Sequence, residues 1–122
     1  MRYLLAVAGI MMSSALAQAQ SGEMIIAGIG ANKCSDVLKT YREGPKAMGY
    51  LMLTWAQGFW SSQNAMFLQA GTPMMKNLAG NDEARLKAMM DLCSSRPADD
   101  FGLVVRDYFF ELPNYPNPRA KK

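Results

Sequence analysis

The sequence predicts an all-α domain, a small four-helix bundle with one disulfide, following a cleaved export signal. Three observations predict it. Apolar residues recur at three- and four-residue spacing in four separate stretches, and no alternating run is long enough for a sheet. Glycine and proline punctuate those stretches, so the loops are short. Past the first apolar segment the chain keeps two cysteines, Cys34 and Cys93, which an oxidising compartment would pair.

The elements follow in order. Arg2, the uncharged run Tyr3 to Met12 and the small residues Ala15, Ala17 and Ala19 have the order of a secretory signal, with cleavage expected after Ala17 or Ala19. That run is too short to span a bilayer, which takes about 20 apolar residues. No cysteine follows the cleavage region, so no lipid anchor is expected, and the periplasm is the expected compartment. Residues 20–31, rich in glycine, are expected to form a flexible arm or a short strand. The helical domain is assigned to residues 32–112. From Asn32, the residues Cys34, Val37, Leu38 and Tyr41 make a short amphipathic helix that Gly44-Pro45 ends.

The longest helix starts at Pro45 and carries Met48, Leu51, Met52, Trp55, Phe59, Met66 and Phe67 at helical spacing toward Gly71. Gly49 and Gly58 each cost about 1 kcal/mol of helix propensity relative to alanine, so a close backbone neighbour or a bend is expected near Trp55 to Trp60. A connector from Gly71 to Gly80 holds Met74, Met75 and Leu78. Asn81 or Asp82 caps a third helix with Leu86, Met89, Met90 and Cys93 inward. After Pro97 a fourth helix is expected to hold Asp99 and Asp100 in its first turn and to bury Phe101, Val104, Val105, Tyr108, Phe109 and Leu112. Pro113, Pro116 and Pro118 forbid further helix, and residues 113–122 are expected to be a disordered, proline-rich basic tail.

Composition excludes much chemistry. The 122 residues contain no histidine, so a Ser-His-Asp triad, a Cys-His dyad and a zinc site built on imidazole are all unavailable, and two cysteines alone do not close a zinc site. No enzyme activity, metal or cofactor is expected. Asp99 and Asp100 are adjacent and point about 100° apart on a helix, which does not suit paired catalytic acids. The chain has 13 Lys and Arg against 10 Asp and Glu, but three of the basic residues lie in the last four positions and no stripe of basic residues runs along any helix, so nucleic-acid binding is not expected. A disulfide closing a loop of about 60 residues would contribute on the order of 4 kcal/mol. The cysteines are too far apart in sequence for a C-x-x-C redox motif, and a structural bond is expected.

The candidate chemistry is recognition. Met48, Met52, Met66, Met74, Met75, Met89 and Met90, with Trp55, Phe59, Trp60 and Phe67, form a soft and aromatic set suited to accepting varied protein partners. Met48, Met52, Met89 and Met90 also fit plain core filling. Met52, Trp55, Phe59, Trp60, Met74 and Met75 are the candidate protein-binding residues, with Trp60, Met74 and Met75 off the main stripes and expected at the surface. Below about pH 3 the carboxylates protonate and positive charge accumulates, which would loosen the fold while the disulfide keeps it tethered.

Cys34-Ser35-Asp36-Val37-Leu38, the segment Trp55 to Ser61, the run Leu86 to Cys93 followed by Ser94-Ser95-Arg96-Pro97, and a last helix closing at Glu111-Leu112-Pro113 together resemble the HdeA/HdeB family of periplasmic acid-stress chaperones. The resemblance covers roughly residues 32 to 112. It implies a helical domain with one disulfide, a homodimer at neutral pH, and an acid-loosened state that holds unfolding periplasmic proteins without a cofactor or catalytic residue. The extra arm, the tail and a longer segment between the cysteines depart from that pattern. The segment from Gly49-Tyr50 to Gly58-Phe59 before the second cysteine is also similar to the Tai-type periplasmic immunity proteins. That similarity implies a single partner, a cell-wall amidase toxin, bound through a protruding loop at Gly71 to Gly80.

Overall fold

In a computed structural model the described residues are 26–120; the signal reading, the first part of the arm and the last two lysines lie outside them. The elements are a 3-10 turn at Gly28–Ala31, α1 (Cys34–Glu43), α2 (Pro45–Ala70), β1 (Met74–Lys76), α3 (Asp82–Ser95), α4 (Phe101–Glu111) and β2 (Asn114–Pro116). The chain is thus mostly helical, as its periodicity predicts. α2 is the axis, packing against α1, α3 and α4, while α3 also packs on α1 and α4.

Local chemistry explains the boundaries. Pro45 stands at the start of α2, where its missing N–H costs nothing. Gly71 ends the helix at φ 66°, and the Gly71 and Thr72 amides donate to Leu68 O and Phe67 O, the paired bonds of a Schellman cap. Asn81 caps α3 by accepting from the Ala84 amide at 3.0 Å.

The Cys34–Cys93 disulfide joins the start of α1 to the end of α3. Backbone bonds converge there: Cys34 N donates to Asp99 O at 2.8 Å, Ser35 N to Pro97 O at 3.0 Å, and Phe101 N to Asn32 O at 2.8 Å. α4 begins one residue after Asp100, so the expected placement of Asp99 and Asp100 in its first turn is corrected. Their side chains face cations instead of the helix dipole.

α2 runs unbroken for 26 residues, so no bend occurs near Trp55 to Trp60. A Cβ on Gly49 would come within 3.0 Å of Leu86, whereas Gly58 faces open space. The buried positions are Met48, Gly49, Met52, Ala56, Trp60 and Asn64. A four-residue repeat advances about 40° around the helix at each step, so this stripe winds, following neighbours that cross α2 in succession. Met52 and Trp60 are fully buried, so neither is a contact residue of the folded state: Met52 fills the core, and Trp60, expected at the surface, instead donates through Nε1 to Val105 O at 3.1 Å. Leu51 and Met66, expected inward, are 49% and 59% exposed.

Two further expectations are corrected. Residues 114–116 are not disordered: β2 pairs antiparallel with β1 in the register Met74↔Pro116, Met75↔Tyr115, Lys76↔Asn114. Asn117 is buried and donates to Phe67 O at 3.0 Å, fastening the tail to α2. Three-residue strands show no readable alternation, and the two halves are nearly 40 residues apart (76 against 114). The described part of the arm is likewise placed: Ile29 and Gly30 are buried, and Trp55 Nε1 donates to Ala27 O at 3.2 Å.

Candidate functional site

Of the six candidate contact residues, the structure leaves four available. Trp55 and Phe59, one helical turn apart on α2, stack with centroids 5.8 Å apart and planes 8° from parallel. Trp55 also meets Phe101 of α4 at 6.1 Å. Met74 is 43% exposed and Met75 half-buried, both on β1, far along the chain from that aromatic pair.

Met74 lies near an end of the molecule where further apolar side chains are exposed, on the opposite face of the β1–β2 ribbon from Tyr115. Met66 from the end of α2, Phe110 from the end of α4 and Tyr115 from β2 are more than half exposed there. The two-stranded ribbon of β1 and β2 holds this end together. Lys76 Nζ donates to Phe110 O at 2.8 Å, Leu112 O at 3.0 Å and Asn114 Oδ1 at 2.9 Å, satisfying carbonyls at the C-terminus of α4. Met75 and Tyr115, opposite each other in the ribbon, line an open concavity with Asn64 and Leu78. Phe110 and Tyr115 carry no helical-spacing signal toward a core, and only the folded ribbon identifies them.

The β1–β2 ribbon is not an open template for another strand. Asn64 closes the outer edge of β1: its Nδ2 donates to Lys76 O at 2.7 Å and its Oδ1 accepts from Lys76 N at 2.9 Å. Thr72 Oγ1 donates to Met74 O at 3.2 Å on the same strand. β2 carries Pro116, which has no N–H to offer. Recognition at this end would rest on side chains.

Charge gathers at the opposite, disulfide-bonded end. Arg96, at the C-cap of α3, donates through Nε to Asp99 at 2.6 Å and through Nη1 to Asp107 at 2.7 Å. Arg106 also donates to Asp107 at 2.7 Å, and Lys33 to Asp100 at 2.7 Å. Partial burial pushes the Asp107 carboxyl up, but hydrogen bonds from Arg96 and Arg106 together with their charges outweigh it, and the net shift is below the ordinary carboxylate value. The hydrogen bonds from Arg96 to Asp107 and Asp99 raise the guanidinium further, and that from Lys33 to Asp100 raises the ammonium.

Arg85 of α3 was not foreseen. It is 6% exposed, donates to Leu78 O, to Ala79 O at 2.8 Å and weakly to Asn77 O at 3.4 Å, and lies 5.6 Å over the Trp60 ring. No salt-bridge partner accompanies it among the described residues. It pins the loop between β1 and α3 to the core.

Among the described residues no group of three or more histidine, cysteine, aspartate or glutamate side chains is arranged to hold a metal ion, and no helix is long and apolar enough to cross a membrane. What the arrangement offers is apolar contact at one end and a carboxylate-dependent lock at the other. Comparison of the chain with protein-family models, with curated proteins and with solved structures finds no match to any of them.

Proposed function

We propose that this chain is a non-enzymatic, protein-binding domain of the periplasm: an acid-stress holdase of the HdeA/HdeB kind, which binds unfolding proteins at low pH. The observation that carries this reading is the lock at the disulfide-bonded end. Asp99 and Asp100 at the start of α4 and Asp107 within it hold that helix to α1 and α3 through Lys33 and Arg96. Protonated carboxylates give up those ion pairs, and the guanidinium and ammonium groups left behind repel one another. α4 contributes Phe101, Val104, Val105 and Phe109, all fully buried, so loosening it uncovers a broad apolar surface. The Cys34–Cys93 bond does not titrate and keeps α1 and α3 together.

The test is light scattering of an acid-labile client at about pH 2 to 3, with and without the mature protein. Suppression of aggregation is the expected result. Unchanged aggregation at several-fold excess of the protein removes the reading.

One observation favours a second reading, a Tai-type immunity protein that inhibits a cell-wall amidase toxin. Met66, Met74, Phe110 and Tyr115 are already exposed in the folded state, around the Gly71 to Gly80 segment. A rigid apolar end of this kind suits one tight partner at neutral pH. Capture of a cell-wall hydrolase by the folded protein at neutral pH, lost on Met74→Asp with Tyr115→Asp, is the outcome that would favour it.

A further inference from the structure

The exposed apolar residues at the ribbon end gather around β2. Met74 pairs with Pro116 across the ribbon. Lys76 Nζ bridges Phe110 O and the Asn114 side chain, which brings the C-terminus of α4 to the start of β2. Asn117 donates to Phe67 O, so the part of α2 that carries Met66 adjoins the end of β2. Asn64 of α2 occupies the outer edge of β1, which makes β2 the strand farther from that helix, and all three of its residues are exposed. β2 is thus an outer ridge.

Charge is segregated toward the same ridge. Residues 26–59 and 82–107 carry eight Lys and Arg against eight Asp and Glu, a neutral body. Residues 60–81 and 108–122, which build the ribbon end, carry Lys76, Arg119, Lys121 and Lys122 against Glu111, a net charge of +3. The tail is turned back onto α2: Arg119 N donates to Asn117 Oδ1 at 2.9 Å and Ala120 N to Asn117 O at 3.1 Å, and a Cβ on Gly71 would lie 3.6 Å from Arg119 O. Lys121 and Lys122 follow Ala120 within about 7 Å of chain, so their charge belongs to this end by covalent reach alone.

We infer that this end docks peripherally on an anionic lipid bilayer, with Met74, Phe110 and Tyr115 entering the interfacial zone and Arg119, Lys121 and Lys122 meeting lipid phosphates. Two features favour a fluid surface over a folded partner. Met74 and Tyr115 project from opposite faces of the ribbon, so apolar groups flank the ridge on both sides and form no single flat patch. The interfacial zone of a bilayer admits such a ridge without matching its shape, and aromatic side chains settle there. Apolar contact combined with basic charge is the chemistry of surface adsorption, not of spanning. Each basic residue near an anionic surface strengthens binding about fivefold, so the net charge of +3 gives about a hundredfold preference for anionic over neutral lipid, screened by salt. This docking goes beyond the holdase reading and does not depend on it.

The experiment is co-sedimentation of the mature, disulfide-bonded protein at neutral pH with vesicles of phosphatidylcholine alone or mixed with phosphatidylglycerol, in low and high salt. Two double variants separate the contributions: Phe110→Ser with Tyr115→Ser removes apolar contact, and Arg119→Glu with Lys121→Glu reverses the tail. Far-UV circular dichroism is the folding control. The unaltered protein is expected to prefer the anionic vesicles about a hundredfold in low salt, and each variant to bind them at least about tenfold more weakly. Binding that ignores vesicle charge overturns the inference, as does a helical aromatic variant that binds as well as the unaltered protein. If the aromatic variant loses its helical signal, the tail variant decides, and undiminished binding by it overturns the inference. No binding to either vesicle does so too, and leaves the ridge to the protein partner of the second reading. The acid light-scattering assay uses a client and no lipid, so its failure and this one are distinguishable.

Discussion

Replacing Arg85 with methionine tests how this small domain holds the loop between β1 and α3 to its core. The guanidinium is almost fully buried, donates to Leu78 O and Ala79 O, and covers the Trp60 ring. Methionine keeps most of the volume and an apolar contact with the indole, so the cation–π contribution is largely offset. The two strong charge-assisted bonds are not. At about 1.5 kcal/mol each they sum to about 3 kcal/mol, a large share of a stability of about 5–15 kcal/mol. With a urea slope of about 1.5 kcal/mol/M for a domain of this size, the unfolding midpoint should fall by about 2 M with the slope unchanged. Urea titration followed by far-UV circular dichroism measures it. A fall of less than about 0.5 M would show that water replaces the guanidinium at those carbonyls and that the buried cation holds nothing. Arg85→Lys should lie between the two, since one ammonium reaches carbonyls but cannot cover a ring.

Two more outcomes follow from the disulfide-bonded end. Removing the bond with Cys34→Ala and Cys93→Ala frees a loop of sequence separation 59, and the chain-entropy relation gives a loss of about 4 kcal/mol, or about 20 °C in Tm. A calorimetric Tm within a few degrees of the unaltered protein would contradict it. Asp107→Asn should cost about 1 kcal/mol at neutral pH, discounted because the carboxylate is about a third exposed. Because the folded-state pKa is lowered, that increment is present above the ordinary carboxylate value and disappears as pH falls through the lowered one. The stability gap between the two proteins should therefore narrow as pH falls below the ordinary carboxylate value; a gap that does not change with pH would place its origin outside the charge.

Periodicity, punctuation and the cysteine count made the four helices legible, along with their order; the cap of α3 was narrowed to Asn81 or Asp82, and the structure chose Asn81. The site was less legible, for reasons visible in particular residues. α2 is apolar on most of its surface, so spacing alone marked Leu51 and Met66 as inward and Trp60 as outward, and only the crossing of neighbouring helices chose the stripe from Met48 to Asn64. Nothing in the sequence singled out Arg85, because its acceptors are backbone carbonyls of a loop that no residue type announces.

What the sequence by itself determined was local: each helix is specified by contacts within a few residues and by backbone groups that turn and cap residues satisfy nearby. What only the tertiary structure decided was long-range. The pairing of Met74–Lys76 with Asn114–Pro116, the seating of Gly30 against Trp55 and Gly102, and the meeting of Arg96 with Asp107 all depend on surfaces that exist once the helices have packed. Closing such contacts costs chain entropy that no local pattern repays, so their partners are set by packing and leave little trace in residue spacing.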